Sequence, residues 1–264
     1  MSNAPGTQPG QLSRAASPAP AVSIIMPCLN AAACLPRAVA SVTAQTRHDW
    51  ELIIADDGSS DATPALARER AAADPRIRVL AAPETGPRGV AAARNRGIAV
   101  ARGRYLAFLD ADDEWLPEKL ARQLGWMQAE GLALTYTGFW RVHATGRREV
   151  RVPARVDRQR LLRGNVIGVL TAICDRDQLG PMAMPLLPLR QDYAFWLDLL
   201  KRTEAAHGLQ VPLAIYHVTP GSLSANRWRA SAATWRMYRE HAGLGPLPAA
   251  WYLASHVIRR LIRG

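Results

Sequence analysis

Cysteine is scarce in this chain of 264 residues: Cys28, Cys34 and Cys174 are odd in number and show no CxxC spacing. That excludes a disulfide-stapled scaffold and offers no zinc cage, so the thiols read as reduced thiols of a cytosolic protein. Lysine is scarcer still, with only Lys119 and Lys201 among the 33 basic residues. The formal net charge of +11 is therefore carried by arginine and looks as much like a composition bias as a binding device. A basic surface attracts nucleic acid and anionic lipid alike, and charge alone does not choose between them. No run of about 18 uncharged apolar residues occurs to span a bilayer. Residues 1–20 also lack the basic start and apolar stretch of a secretory signal, so the expected location is the cytoplasm.

Apolar side chains are not lacking: 48% hydrophobic against 21% charged residues suffice for a full core and exclude a wholly disordered or collagen-like chain. Composition divides the sequence. Residues 1–20, rich in Pro, Ala, Ser, Gly and Gln, cannot offset the entropy of ordering and read as a disordered leader. Residues 21–227 form the body, and residues 228–264 a basic tail.

Within the body the pattern alternates between short apolar runs and helical spacing. VSIIMP, WELIIAD, IRVLAA and RYLAFLD read as strands. Between them lie helical stretches at Cys34–Ala44, Thr63–Ala73 and Gly89–Ala101, with Asp61 and Thr63 as candidate N-caps of the second. Strands joined by helical crossovers predict a parallel α/β sheet covered on both faces. Further on, LPEKLARQLGWMQAE reads as an amphipathic helix, ALTYTGFWRV as a strand, RREVRVPARV as a polar extended stretch, GNVIGVLTAICDR as a strand or two, and Tyr193–Lys201 as a helix. No internal repeat or interdomain linker is evident, so residues 121–227 are expected to complete the sheet begun by residues 21–120.

Ligands of open α/β sheets bind at the carboxyl ends of the strands, where loops leave the sheet and helix N-termini point in. The polar residues at those positions are Asn30 after the first strand, Asp56 and Asp57 after the second, and Asp110, Asp112 and Asp113 after the fourth. Several carboxylates on one loop repel each other unless a cation binds, and a hard divalent ion with oxygen ligands suits them. The plainer alternative is a solvated acidic turn whose Asp113 caps the next helix. For Asp56-Asp57-Gly58-Ser59-Ser60-Asp61 the choice lies between a glycine-assisted turn and a contact to a nucleobase or ribose.

Taken together, VSIIMPCLN, ELIIADDGSSDAT and ETGPRGVAAARNRGIAVARGRYLAFLDADDEW resemble, in order and spacing, the donor-binding half of family 2 glycosyltransferases, which have the A-type glycosyltransferase fold. LRQDYAFWLDLLKR and LAIYHVTPGSLSANR are similar to the acceptor side of bacterial members that build capsule, O-antigen or teichuronic-type polymers. The resemblance implies a metal-dependent, inverting transfer of a sugar from a nucleotide donor, UDP-linked, to a glycan or lipid-linked glycan in cell-surface polysaccharide synthesis. It implies that Pro27 and Asn30 shape the first nucleotide loop, that Asp57 with Asp56 meets uracil or ribose, and that Arg94 lies near the base or the diphosphate. Asp110 and Asp112 match the DXD motif and would hold Mn2+ or Mg2+, with Asp112 the more direct ligand. Asp192 matches the catalytic base, a role compatible with capping the helix that follows. Cys28 and Leu29, Gln191, and His217 depart from common family residues at their positions, and none removes a required carboxylate. His217 reads either as an extra metal ligand or diphosphate contact, or as a structural histidine.

Two other classes remain in view. A nucleotidyltransferase also uses paired aspartates and a metal, but VSIIMPCLNAAACLP contains no glycine for a phosphate loop. A non-catalytic relative binding glycan or nucleic acid is the other; stacking aromatics interleave with basic residues only at Trp228, Trp235 and Tyr238, so nucleic acid is not expected. In AAWYLASHVIRRLIRG one helical face can carry Trp251, Ala254, Val257, Ile258, Leu261 and Ile262, flanked by Arg259, Arg260 and Arg263. It reads either as a helix lying on the inner face of the cytoplasmic membrane, where a polyprenyl-linked acceptor resides, or as a segment packed on the domain.

Overall fold

The computed structural model describes residues 19–218 and 227–263. The predicted leader through residue 18 and the serine-rich loop 219–226 lie outside the described residues, as do the tail side chains from residue 257 onward.

The first half folds as its alternation predicts. Strands β1 (Val22–Cys28), β2 (Trp50–Asp56), β3 (Ile77–Leu80) and β4 (Tyr105–Phe108) pair in parallel in the order β3-β2-β1-β4. Helices α1 (Leu35–Thr43), α2 (Thr63–Ala73) and α3 (Val90–Val100) make the crossovers. The period of two sorts each strand between two core layers. Ile24 and Met26 of β1 face the layer packed by α1, whereas Ile25 faces the layer packed by α3. Both faces being covered, β1 and β2 are buried at every position, which is why they read as unbroken apolar runs. The predicted capping of α2 is shifted. Ala62 is the N-cap, Asp61 accepts the Thr63 N–H at 2.9 Å from one position further out, and the Thr63 hydroxyl accepts the Ala31 N–H instead.

The second half continues the sheet with mixed directions. After β5 (Glu114–Trp115) and α4 (Lys119–Ala129) come β6 (Leu134–His143), β7 (Gly146–Val150), β8 (Arg155–Val156) and α5 (Arg158–Leu162). A 3-10 turn at Val169–Thr171 leads to β9 (Ile173–Asp175), then α6 (Arg176–Leu179), α7 (Gln191–Leu199) and β10 (Ala206–His217). The sheet order is β3-β2-β1-β4-β9-β6-β10-β5. Only β9 fills the place between β4 and β6, and it runs antiparallel to both. The stretch read as a strand or two is thus one short strand after a 3-10 turn, and RREVRVPARV divides into β7 and β8 on either side of a loop. Pro212, which cannot donate to a ladder, sits in β10 where its register with β6 shifts.

Past the body, α8 (Arg227–Arg236), a π-helical turn (Met237–His241) and α9 (Pro246–Arg263) make up the tail. Its first part is not a free appendage: Met237, Tyr238 and Ala249 are buried in the core layer that also holds α7. Among the described residues no helix is long and apolar enough to cross a membrane.

One buried network ties together the amino ends of β1 and β2. Ser23 donates to Glu51 at 2.7 Å and accepts from the Gly103 N–H at 2.8 Å, while Arg78 and Arg102 each reach Glu51 at 3.0 Å. Burial alone would raise the Glu51 carboxyl, but the hydrogen bonds from Arg102, Ser23 and Arg78 outweigh it and hold it below the usual range. Gly103 must pass close to β1, since a Cβ there would lie 2.7 Å from the Ser23 nitrogen and 2.8 Å from the Val22 carbonyl carbon. Gly103→Ala is therefore expected to destabilise the protein by about 1–3 kcal/mol, read as a lowered midpoint in thermal unfolding; an unchanged midpoint would contradict this packing.

Candidate functional site

The carboxyl ends of β1 and β2 and the start of α3 enclose a cleft of about 520 Å³. Pro27, Leu29, Asp57, Gly89 and the loop at Leu186–Pro188 line it. In the turn that carries Asp57, Asp56 faces inward: its carboxylate accepts the N–H groups of Gly58 and Ser59, and the Ser59 hydroxyl at 2.5 Å. Asp56 therefore shapes the loop, and Asp57 is the carboxylate that lines the cleft. Asp57 accepts the Gly89 N–H at 2.6 Å, which fastens the loop to the N-terminus of α3, where a carboxylate is favoured. Arg96 donates to the Asp56 carbonyl at 2.6 Å and Arg88 to the Asp57 carbonyl at 3.2 Å. Gly58, at φ 98°, lets Arg88 cross, because a Cβ there would meet the guanidinium at 2.3 Å. Asn30 takes a left-handed conformation at φ 49° and accepts the Ser60 N–H at 2.9 Å, joining the loops after β1 and β2. Burial, with Asp56 beside it, pushes the Cys28 thiol up to about 12, so it is a neutral packing group.

Next to this cleft lies the acidic turn after β4. Arg94 is not on a solvated helix face but 2% exposed, and its guanidinium donates to Asp110 at 2.5 Å. Asp113 is buried and accepts the His217 N–H at 3.0 Å. Burial first, and then the neighbouring Asp110 and Asp112, push its carboxyl up to about 9. It does not cap α4, whose N-cap is Glu118. Arg37 donates to the Asp112 carbonyl at 2.9 Å and pairs with Glu114 at 3.1 Å. The ring of His217 lies on Glu114 at 2.6 Å, so β10 and β5 bring it beside the acidic turn with its Nε2 engaged by that carboxylate.

Asp192 reaches the same region from α7. It is a first-turn residue, with Arg190 as the N-cap in a left-handed conformation, so the capping role expected for it falls to another residue. Asn165 donates to it at 3.3 Å. Burial raises its carboxyl, opposed mainly by the charge of Arg94, then by the Tyr193 backbone N–H and by Arg190, with Asp110 adding to the rise. Arg94 thus acts on both carboxylates. The segment 181–190 closes the arrangement, because Asn95 exchanges two hydrogen bonds with the Met184 backbone, at 2.8 and 2.7 Å.

Sequence reasoning did not single out Arg37, Arg88, Arg96, Asn165 or Arg190. Arg88 and Arg96 carried one signal, lying in the same glycine- and arginine-rich run as Arg94. Among the described residues no group of three or more His, Cys, Asp or Glu side chains is arranged to hold a metal ion.

The family model of glycosyl transferase family 2 matches residues 23–175. TuaG of Bacillus subtilis (strain 168), named for teichuronic acid biosynthesis, is 37% identical over 249 residues, covering 92% of this chain and 98% of its own. The UDP-Glc:alpha-D-GlcNAc-diphosphoundecaprenol beta-1,3-glucosyltransferase WfgD of Escherichia coli is 31% identical, with 90% and 92% covered. Among solved structures, S. aureus TarS 1–349 in complex with UDP-GlcNAc superposes with a TM-score of 0.70 at 19% identity, covering 89% of this chain and 71% of that one. A mannosyltransferase from Pyrobaculum calidifontis in complex with GDP-Man and Mn2+ gives 0.66 at 20% identity, covering 90% and 69%. At those identities the structural likeness speaks for the A-type glycosyltransferase fold alone. The family model spans the parallel half and its acidic turn, and both sequence relatives match across the whole body: the chain belongs to glycosyl transferase family 2 and is a glycosyltransferase.

Proposed function

We propose that this enzyme transfers a sugar from a UDP-linked donor to a glycan carried on a membrane lipid diphosphate in cell-surface polysaccharide synthesis, with inversion at the anomeric carbon. The observation that carries the reading is the meeting of Asp192 with the acidic turn across a single buried guanidinium, beside a cleft that ends on Asp57. Support for the donor and acceptor classes comes from WfgD, whose name gives UDP-Glc and a diphosphoundecaprenol acceptor, and from TarS bound to UDP-GlcNAc.

In this reading the nucleoside enters the cleft between Pro27, Leu29 and Leu187, with Asp57 at its polar end. Asp110 and Asp112 would hold Mn2+ or Mg2+. The chemistry suits a hard ion, since Asp110 and Asp112 offer oxygen donors on one turn. Two carboxylates are an incomplete shell, as is usual where substrate phosphates finish it. A bound divalent ion supplies charge neutralisation for the departing diphosphate. His217, held on Glu114, supports that turn rather than joining the shell. Asp192, in its ionised form, accepts the proton of the acceptor hydroxyl as that oxygen attacks the anomeric carbon from the face opposite the nucleotide; displacement from that side inverts the centre. Arg94 favours the ionised form of Asp192, opposing the rise that burial causes. The enzyme works at the cytoplasmic side, with the tail a peripheral attachment to the inner leaflet. Exposed Leu247 and Trp251 on α9, beside arginine-bearing α8, favour this over a purely packed tail.

Two outcomes test the reading. With UDP-sugars and a lipid-diphosphate glycan acceptor, Asp192→Asn is expected to lower kcat by about 10²–10⁴-fold while UDP affinity stays unchanged. Because Asp192 is raised and must be ionised to act, wild-type kcat should decline toward acid with its limb above the ordinary aspartate value of 3.8. Full transfer by Asp192→Asn, or a limb at that ordinary value, would contradict the assignment. For the tail, Leu247→Ser with Trp251→Ser should reduce sedimentation with anionic vesicles relative to wild type; equal sedimentation, or retention on nucleic acid in its place, would contradict membrane attachment.

A further inference from the structure

α7 is joined to the C-terminal segment at three levels. At its start, Arg190 donates through Nε to the Thr234 hydroxyl at 3.0 Å and through Nη2 to the Ala230 carbonyl at 3.4 Å. Thr234 is fully buried in α8 and its hydroxyl in turn donates to Ala230 at 2.8 Å, so the guanidinium lies across one turn of that helix. One turn along, the hydroxyls of Tyr193 and Tyr238 meet at 2.9 Å and donate to the Leu161 and Leu162 carbonyls at 2.6 and 2.5 Å. At the far end, His241 bonds Asp198 at 2.7 Å.

The first of these contacts bears on Asp192. Arg190 holds φ 67° and ψ 16°, a left-handed conformation that a residue with a Cβ adopts only where its surroundings enforce it. Its carbonyl accepts the Ala194 N–H at 2.9 Å, so the same residue that is bent and clamped also sets the first turn of α7. Asp192 is the second residue of that turn. Nothing in the sugar-transfer chemistry calls for Thr234, which lies on the tail beyond the family model's residues 23–175.

We propose that α8 fixes the aim of Asp192 through an Arg190–Thr234 clamp, both being positioning residues for the transfer; this rests on Asp192 being the base. Removing the clamp frees the left-handed junction to relax, and the carboxylate drifts from the acceptor hydroxyl, while the donor cleft keeps its shape because its walls are β1, β2, α3 and a Leu186–Pro188 loop whose segment is tied to α3 by the Asn95–Met184 hydrogen bonds.

The test uses the full chain with a UDP-sugar and a lipid-diphosphate glycan acceptor. Thr234→Val is nearly isosteric and removes the hydroxyl; Arg190→Gly accepts the left-handed backbone and removes the guanidinium. Each is expected to lower kcat about tenfold, with the donor KM and the UDP dissociation constant unchanged. Added to Asp192→Asn, Thr234→Val should cause no further loss, because the group it aims is gone. Wild-type kcat in both variants overturns the clamp, as does an equal loss in the Asp192→Asn background. A lowered unfolding midpoint with kcat per folded molecule unchanged also overturns it. If Asp192→Asn itself transfers at the wild-type rate, it is the base assignment that falls, and the clamp loses its target.

Discussion

A guanidinium enclosed in the core organises the carboxyl end of this sheet. Arg94 is 2% exposed, and a charge so placed is tolerated only when paired. Asp110 meets it directly, and its field reaches Asp192 from a segment almost a hundred residues further along the chain. That single requirement draws α3, the turn after β4 and the start of α7 to one point. The segment 181–190 then closes over α3 through Asn95 and Met184. An isolated acidic turn would be a solvated loop. Here it is set against a buried cation and a second carboxylate.

The two halves of the domain contribute by different physics. The parallel half is rigid because both of its faces are buried, and its loops leave at a level fixed by register, with Cys28 opposite Asp56. The cleft at their carboxyl ends is therefore framed largely by backbone turns. The second half has fewer local constraints and borrows its rigidity from the tail, where Met237, Tyr238 and Ala249 are buried with α7. Within the tail, Ala230, Thr234, Met237, Tyr238 and Ala249 are buried, while Leu247 and Trp251 of α9 are exposed.

What could be read from sequence follows the range of the interactions. β1, β2 and β4 are continuous apolar runs because their burial is two-sided, and the polar residues after them mark the site by position alone. Asp57, Asp110 and Asp112 were accessible in that way. The inward turn of Asp56 was not, since adjacent aspartates look alike until the Gly58 and Ser59 N–H groups choose one. β5 was invisible, and β9 showed only as part of a longer extended stretch, because two- and three-residue strands exist only through distant partners. α8 lacks an apolar stripe strong enough to announce itself; what it buries is chiefly small, Ala230 and Thr234. The left-handed turn at Arg190 had no signature, because its cause lies on that helix.

The most direct test of the account is calorimetric titration of the purified protein with UDP and with GDP, each in the presence and absence of Mn2+. The account predicts UDP binding that strengthens with Mn2+, loses that strengthening in Asp112→Ala, and exceeds GDP binding. Absence of binding by either nucleotide, or Mn2+-independent binding unaffected by Asp112→Ala, would contradict it.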